Sequence, residues 1–285
     1  MSVTVADIRA AKDRVPLAFR DPPKVFWRKR ILWALFVCLF AWSLYDFNIT
    51  PERIWTGLGR LGRVLSFMFP PYIWKTWVEF SEILNGLGET LAIAFLGTVL
   101  GAIVAYPLSL LGAKNINRIT FLRHGVRRGF DLIRAFETLI LALIFIRAFG
   151  LGPLAGVLAI AVSEIGTFAK LFSEALENTS EKPIDGVRAS GGSRMQQIRF
   201  AISPQVNPVI LSILLYNFES NVRSGTILGI VGAGGIGFLL SDRIAAYRWD
   251  EAWSIIFLII ALVYVIDWLS SLIRARLIGT WNGPK

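Results

Sequence analysis

The chain has 285 residues, 54% of them hydrophobic, a mean hydropathy of +0.57, a formal net charge of +10 and a pI of about 10.1. Apolar content gathered into long, nearly uncharged runs excludes an ordinary soluble domain. It also moves the explanation of the basic charge from a nucleic-acid surface to the loops of a membrane protein, where Lys and Arg collect on the cytoplasmic side.

Residues 1–30 form a basic, Pro-containing tail without an apolar period, expected on the cytoplasmic side against anionic lipid. Residues 31–285 read as the membrane domain. Apolar segments at 26–47, 88–113, 130–149, 152–173, 205–228 and 252–273 predict six transmembrane helices, each near the ~20 residues that cross a bilayer. The first is free of charge only from Ile31 to Tyr45; Trp27, Trp33 and Trp42 suit interfacial anchors, and Cys38 packs as a small apolar residue. No A-x-A-like site follows, which favours a retained anchor over a cleaved signal. In the loop from Pro51 to Glu82, Ile54, Leu58, Leu61, Leu65 and Met68 share one helical face, with Arg53, Arg60 and Arg63 opposite. That is an interfacial amphipathic pattern. Basic residues of the tail, of the 114–128 loop (Lys114, Arg118, Arg123, Arg127, Arg128), of the stretch after the fourth helix and of the C-terminus (Arg274, Arg276, Lys285) fall on one side. Far fewer, among them Arg147, Arg243 and Arg248, fall on the other. Both termini are therefore expected in the cytoplasm.

The polar stretch 174–204 between the fourth and fifth helices is the most informative segment. Pro183 sits where a short helix begins, with Thr179 or Ser180 as its cap. Gly191-Gly192 breaks it. Ser193 followed by Gln196 is a capping-box pattern, which predicts a second helix from Arg194 to about Ile202, ended by Pro204. A structured helix–Gly–helix on the cytoplasmic membrane surface reads as a docking element for another protein.

On the fifth helix Asn217, Ser220, Asn221 and Ser224 form a narrow polar stripe, the candidate lining of a polar path. Glu219 and Arg223, spaced i, i+4 with the acid first, favour a direct pair on another face, pinning the helix to a neighbour. Arg134 and Glu137 on the third helix can pair at i, i+3, and Glu164 lies near Ser163 and Thr167 on the fourth. The run from Gly232 to Gly237 fits G-x-G-x-x-G, but inside a membrane region its glycines read as tight turns and close backbone approach near the outer face, not as a dinucleotide site. One Cys and one His (His124, in a basic loop) exclude an intrachain disulfide and a Cys/His metal cluster. No G-x-x-x-x-G-K-[ST], G-x-S-x-G or H-E-x-x-H occurs, so no ATP phosphate loop and no catalytic or metal residue is expected.

Two stretches carry a resemblance to the permeases of ATP-binding-cassette importers, specifically the phosphonate-import permeases. The cytoplasmic coupling motif of that family runs E-A-A, three residues, Gly, nine residues, I-x-L-Pro. Here Asp185-Gly186-Val187 stand at the E-A-A positions, Gly191 at the Gly, Ala201 and Ser203 at Ile and Leu, and Pro204 at the Pro. FESNVRSGTILGIVGAGGIG, from Phe218 to Gly237, is very similar to the phosphonate permease signature, and the likeness extends over roughly 80–285. The resemblance implies an all-α, six-helix permease of the type I importer kind, with its coupling helix between helices four and five. It implies a homodimer in the inner membrane, two separate ATPase subunits that hold the ATP and Mg, and an external binding protein delivering a phosphonate or related oxyanion. Coupling to the ATPase would fall to Asp185, Val187, Arg188, Gly191, Ser193, Arg194 and Pro204. No cofactor in this chain and no nucleic acid are implied. The competing readings are an ion-coupled secondary transporter, which would need a coupling-ion site, and a membrane-embedded enzyme, which would need clustered catalytic groups.

Overall fold

The computed structural model describes residues 23–117 and 119–279. The tail expected over 1–30 lies outside the described residues up to residue 22, and from Pro23 the chain is already helical. Every regular element among the described residues is a helix. The chain divides by its contacts into two units, Met1–Ser66 and Phe67–Lys285.

In the first unit, α1 (Pro23–Asp46) is an apolar helix whose Trp33, Phe36, Phe40 and Trp42 are all exposed. α2 (Pro51–Ser66) is bent by 58° from it. Thr50 begins α2 by accepting the Arg53 N–H at 3.3 Å, with Pro51 in the first turn where its missing N–H costs nothing. Ile54, Leu58, Leu61 and Leu65 share the expected apolar face, every one exposed. Met68 lies past the helix end, so the face stops at Leu65.

The second unit is built around two helices, α3 (Trp77–Gly112) and α6 (Pro153–Glu177). Gly97 and Gly101 of α3 let the backbones close: a Cβ on Gly97 would sit 2.6 Å from the Ile160 side chain, and one on Gly101 2.8 Å from that of Glu164. Fully buried Phe168 and Phe172 stack at 5.3 Å and pack with Ala105, Phe130 and Ala169. α3 begins well before residue 88, with Glu79 and Glu82 in its first turns rather than in a loop.

The third span expected at 130–149 is broken. α4 (Thr120–Arg134) ends and α5 (Thr138–Phe149) starts after Glu137, whose backbone is extended. Arg134 and Glu137 therefore share no helix, and the i, i+3 pairing has no support. Lys170 instead holds Asp131 at 3.0 Å, and Thr138 Oγ1 donates to Ser163 Oγ at 3.0 Å.

After α7 (Glu181–Ala189) and α8 (Arg194–Gln197), a π-turn over Ile198–Ile202 leads straight into α9 (Ser203–Ile230). Pro204 does not end a helix, as the sequence had suggested. The wider turn bonds Ser203 N–H to Ile198 O, and Pro204, which has no N–H, falls in the first turn of α9 where none is needed. Arg194–Ile230 is thus one continuous helical rod. A glycine-rich corner joins α9 to α10 (Ile236–Ala245), and α11 (Trp249–Gly279) closes the unit. α10 is a helix that the sequence reading had folded into its Gly-rich segment.

Among the described residues four helices are long and apolar enough to cross a membrane, Trp77–Gly112, Pro153–Glu177, Arg194–Ile230 and Trp249–Arg276, and the bent α1–α2 pair makes a fifth when it is counted as one span. α5 is apolar but shorter, so length and composition alone do not reach the expected six.

Candidate functional site

The surface element at 181–202 follows from local chemistry. Ser180 occupies the N-cap position of α7, and Pro183 lies within the first turn. At the other end Gly191 adopts φ +78, a conformation that glycine alone enters freely. Its N–H donates to Arg188 O at 3.0 Å and the Gly192 N–H to Val187 O at 2.9 Å. These two bonds make a Schellman stop. Ser193 at once opens α8 with a full capping box: its N–H donates to Gln196 Oε1 at 2.7 Å, and its Oγ accepts the Gln196 N–H at 3.4 Å.

The tight spot is Gly192, not Gly191. A Cβ at 192 would lie 2.6 Å from Val187 Cγ1 and 2.7 Å from Val187 O, whereas one at 191 meets nothing within 4 Å. Bulk is therefore excluded by space at Gly192, and at Gly191 only by its φ.

The element is fastened underneath and free above. Gln205 clasps Ser180, accepting its N–H at 3.0 Å and donating to its carbonyl at 3.4 Å. Glu177 Oε1 accepts from the Lys114 N–H at 2.5 Å and from Arg127 Nη2 at 2.6 Å, tying the α3–α4 loop to the end of α6. Neither α7 nor α8 has a buried residue. Asp185 and Arg188 pair at 2.8 Å with both side chains more than half exposed, a contact of small energetic weight. A groove of about 360 Å³ runs along α7, lined by Lys114, Glu177, Glu181, Asp185, Arg188 and Arg194 among others. Val187 is half-buried beside Gly192, while Ser193 and Pro204 are exposed.

On α9 the polar stripe does not form one surface. Asn221 is buried, and its Nδ2 donates to Thr98 Oγ1 of α3 at 3.0 Å and to Glu164 Oε1 of α6 at 2.8 Å. Both of its amide hydrogens are used, so it locks three helices together and offers no donor to a passing ion. Glu164 thus meets Asn221 rather than a Ser163–Thr167 cluster, and its Oε2 has no partner. Asn217 donates to its own helix at Ile213 O, Ser224 is half-buried, and only Ser220 stands exposed. Helical geometry gave the angles of these residues correctly, but which angle faced a neighbour depended on where α3 and α6 cross.

Glu219 is buried and pairs with Arg223 at 2.7 Å. It also faces Arg274 of α11 at 3.5 Å. Arg274 had been counted as a charge of the C-terminal tail; it lies instead on the last transmembrane helix. The charge count could not find this contact, because residues 219 and 274 are brought together only by packing of α9 against α11.

The glycine corner is packed into the bundle, against the start of the apolar run 88–113. The Ile236 N–H donates to Thr90 Oγ1 at 2.9 Å, which sets the corner about 20 Å along α3 from its Trp77 end at 1.5 Å per residue. Gly152 N–H donates to Gly232 O at 3.0 Å, and a Cβ on Gly156 would meet Ala233 O at 2.8 Å. Beyond it, Arg243 reaches Glu251 at 2.9 Å and Glu82 at 3.7 Å, joining α10, α11 and α3. Arg248 closes on the same Glu251, whose carboxylate pushes the guanidinium pKa further up. Among the described residues no group of His, Cys, Asp or Glu could hold a metal ion.

Residues 97–279 match the family model of the binding-protein-dependent transport system inner membrane component. HtxC of Stutzerimonas stutzeri, whose name assigns it to a phosphite transport system as permease, is 36% identical over 242 residues, 85% of this chain and 84% of that one. The phosphate-import permease protein PhnE of Mycolicibacterium smegmatis is 36% identical over 241 residues, 85% of this chain but 44% of the relative. Among solved structures, the inward-facing MetNI methionine ABC transporter superposes with a TM-score of 0.62 at 21% identity, covering 71% of this chain and 99% of that one.

Proposed function

The chain belongs to the family of inner membrane components of binding-protein-dependent transport systems, and we propose that it carries phosphonate, phosphite or phosphate inward as one half of a homodimeric importer. It is a transmembrane permease subunit of an ABC importer and not an enzyme. The oxyanion class is suggested by the relatives, two of which bear phosphite or phosphate in their names. In this reading two ATPase subunits, holding ATP and Mg, bind at α7 and α8, and an external binding protein delivers the ion to the opposite face. The chain lies in the inner membrane with both termini cytoplasmic, the third of six spans running from the end of α4 through α5.

The observation that carries the reading is a helix–Gly–Gly–helix without a buried residue in either helix, beside a charged groove and clamped to the ends of α6 and α9. A push on α7 is passed through Gln205 to α9 and through Glu177 to α3 and α6, the helices that meet at Asn221. Asp185, Val187, Arg188, Gly191, Ser193, Arg194 and Pro204 are the proposed coupling residues. Ser220, with Asn217 and Ser224 beside it, remains the part of the stripe suited to a path; Asn221 holds the helices around it.

Uptake of labelled phosphite, phosphate and methylphosphonate by cells carrying the whole transporter tests the substrate class. A cysteine placed at Arg188 should crosslink to the ATPase, in a chain whose Cys38 has been removed. Normal uptake of a chain lacking 181–192 would sink the coupling role.

A further inference from the structure

Glu219 has two cations and cannot neutralise both. It lies buried near the middle of α9, with Arg223 Nη2 on Oε1 at 2.7 Å and Arg274 Nη2 facing Oε2 at 3.5 Å. One carboxylate between two guanidiniums leaves a net charge of about +1, since arginine stays protonated in proteins. Arg274 Nη1 is buried and has no hydrogen-bond partner. Arg223 is the opposite case: its side chain is 59% exposed, two turns before the end of an apolar helix. Ser220, three residues before Arg223, is exposed on that side of α9. Asp267, the other carboxylate within the apolar run of α11, is about 10 Å from Arg274 along the helix axis and makes no ion pair among those described.

A cluster whose task was to pin α9 to α11 would be complete with one arginine. A second guanidinium inside a membrane protein adds a desolvation cost, and a buried N–H without an acceptor adds another. Both are relieved by one further acceptor carrying negative charge. The planar N–H fork of arginine matches two oxygens of a tetrahedral oxyanion, which presents three or more acceptors at once. The two arginines also lie on opposite sides of Glu219 along the rods, Arg223 one turn toward the glycine corner and Arg274 near the far end of α11.

We propose that Arg223 and Arg274, separated by Glu219, are an anion-binding step within the permease that receives a tetrahedral phosphorus oxyanion. The proposal rests on the importer reading above and deepens it. Glu219 holds the two cations together in the empty site and competes with the bound ion, so that the ion is released rather than trapped. This replaces the view of Glu219–Arg223 as a pair that only pins α9 to a neighbour.

The test uses the full-length chain in nanodiscs titrated with phosphite and followed by ³¹P line width. Saturable broadening is expected for the unaltered chain. Arg223→Gln and Arg274→Gln should each weaken binding by about tenfold or more, the loss of one charge-assisted fork. Glu219→Gln should tighten it, because the competing carboxylate is gone. If Arg274→Gln alone fails to fold, E219Q/R274Q is compared with E219Q, where the carboxylate is absent from both; equal affinity of those two overturns the role of Arg274. Equal affinity in the arginine variants, no saturable binding by the unaltered chain, or weaker binding by Glu219→Gln overturns the site. Uptake separates this from the larger reading. A transporter that imports phosphite normally with Arg274→Gln leaves the importer standing and removes the site. A wild-type transporter that imports none of the three anions removes the substrate class itself.

Discussion

Glycines turn the chain at two places, and the two turns work under different constraints. At 191–192 the chain makes a Schellman stop on the surface, and the conformation itself is the requirement: φ is +78 at Gly191, with open space where a side chain would project. At 231–237 the turn is buried in the bundle, and room is required as well as conformation: φ is positive at Gly232, Gly234 and Gly235, and the backbone is crowded. A Cβ on Gly237 would come within 1.9 Å of Thr226 O, and one on Gly229 within 2.6 Å of Gly234 O. The same residue type therefore supplies a left-handed stop on the surface in one case and a close backbone-to-backbone contact in the other. The surface turn leaves space open at Gly191 and is tight only against Val187 at Gly192; the corner between α9, α10 and α3 is closed on backbone at several glycines.

The severest way to break this comparison is Gly237→Ala. The atoms it meets are backbone, which cannot rotate aside, so the cost should be about 3 kcal/mol or more and little folded protein should be extracted. A monodisperse, normally stable G237A would show that the corner has slack. Asn221→Leu should come next, at about 2 to 3 kcal/mol, because Glu164 is left buried with neither oxygen bonded and Thr98 loses its donor. Thermal unfolding in detergent measures it, and adding Glu164→Leu should recover part of the loss. An Asn221→Leu chain that is fully stable but inactive in uptake would instead return Asn221 to the path.

On the surface the effects are smaller and change sign. Gly192→Ala presses a methyl onto Val187 and should cost about 1 to 3 kcal/mol locally, read as faster proteolysis at 181–202 with the bundle intact. Gly191→Ala meets no neighbour and carries only the backbone cost of a left-handed residue, about 1 to 2 kcal/mol, with Gly191→Asn milder. If Gly191→Ala proved worse than Gly192→Ala for uptake but not for stability, the difference would be the contact with the ATPase. Gly186→Ala, inside α7 with nothing within 4 Å, should stabilise the helix by about 0.5 to 1 kcal/mol, seen as slower proteolysis of the loop. A loss of uptake there would mean that the partner packs against the glycine.

The sequence by itself determined the features that arise within one stretch of chain. Apolar runs separated by basic loops gave the all-α membrane class, Ser193 and Gln196 gave the start of α8, and the Glu219–Arg223 spacing gave a contact that a single helix makes on its own. Signals of that kind act over one or two helical turns, and no distant neighbour is needed to express them. Tertiary structure decided the rest. It broke the run 130–149 after Arg134, carried the helix through Pro204 by a π-turn, and buried Asn221 against Thr98 and Glu164 while leaving Ser220 exposed. It also brought Arg274 to Glu219 across 55 residues of chain. Whether a polar side chain on a helix faces a path, a neighbour or lipid depends on where that helix crosses the others, and the crossings here are set by glycines such as Gly97, Gly101 and Gly237 whose close contacts appear only once the helices are packed.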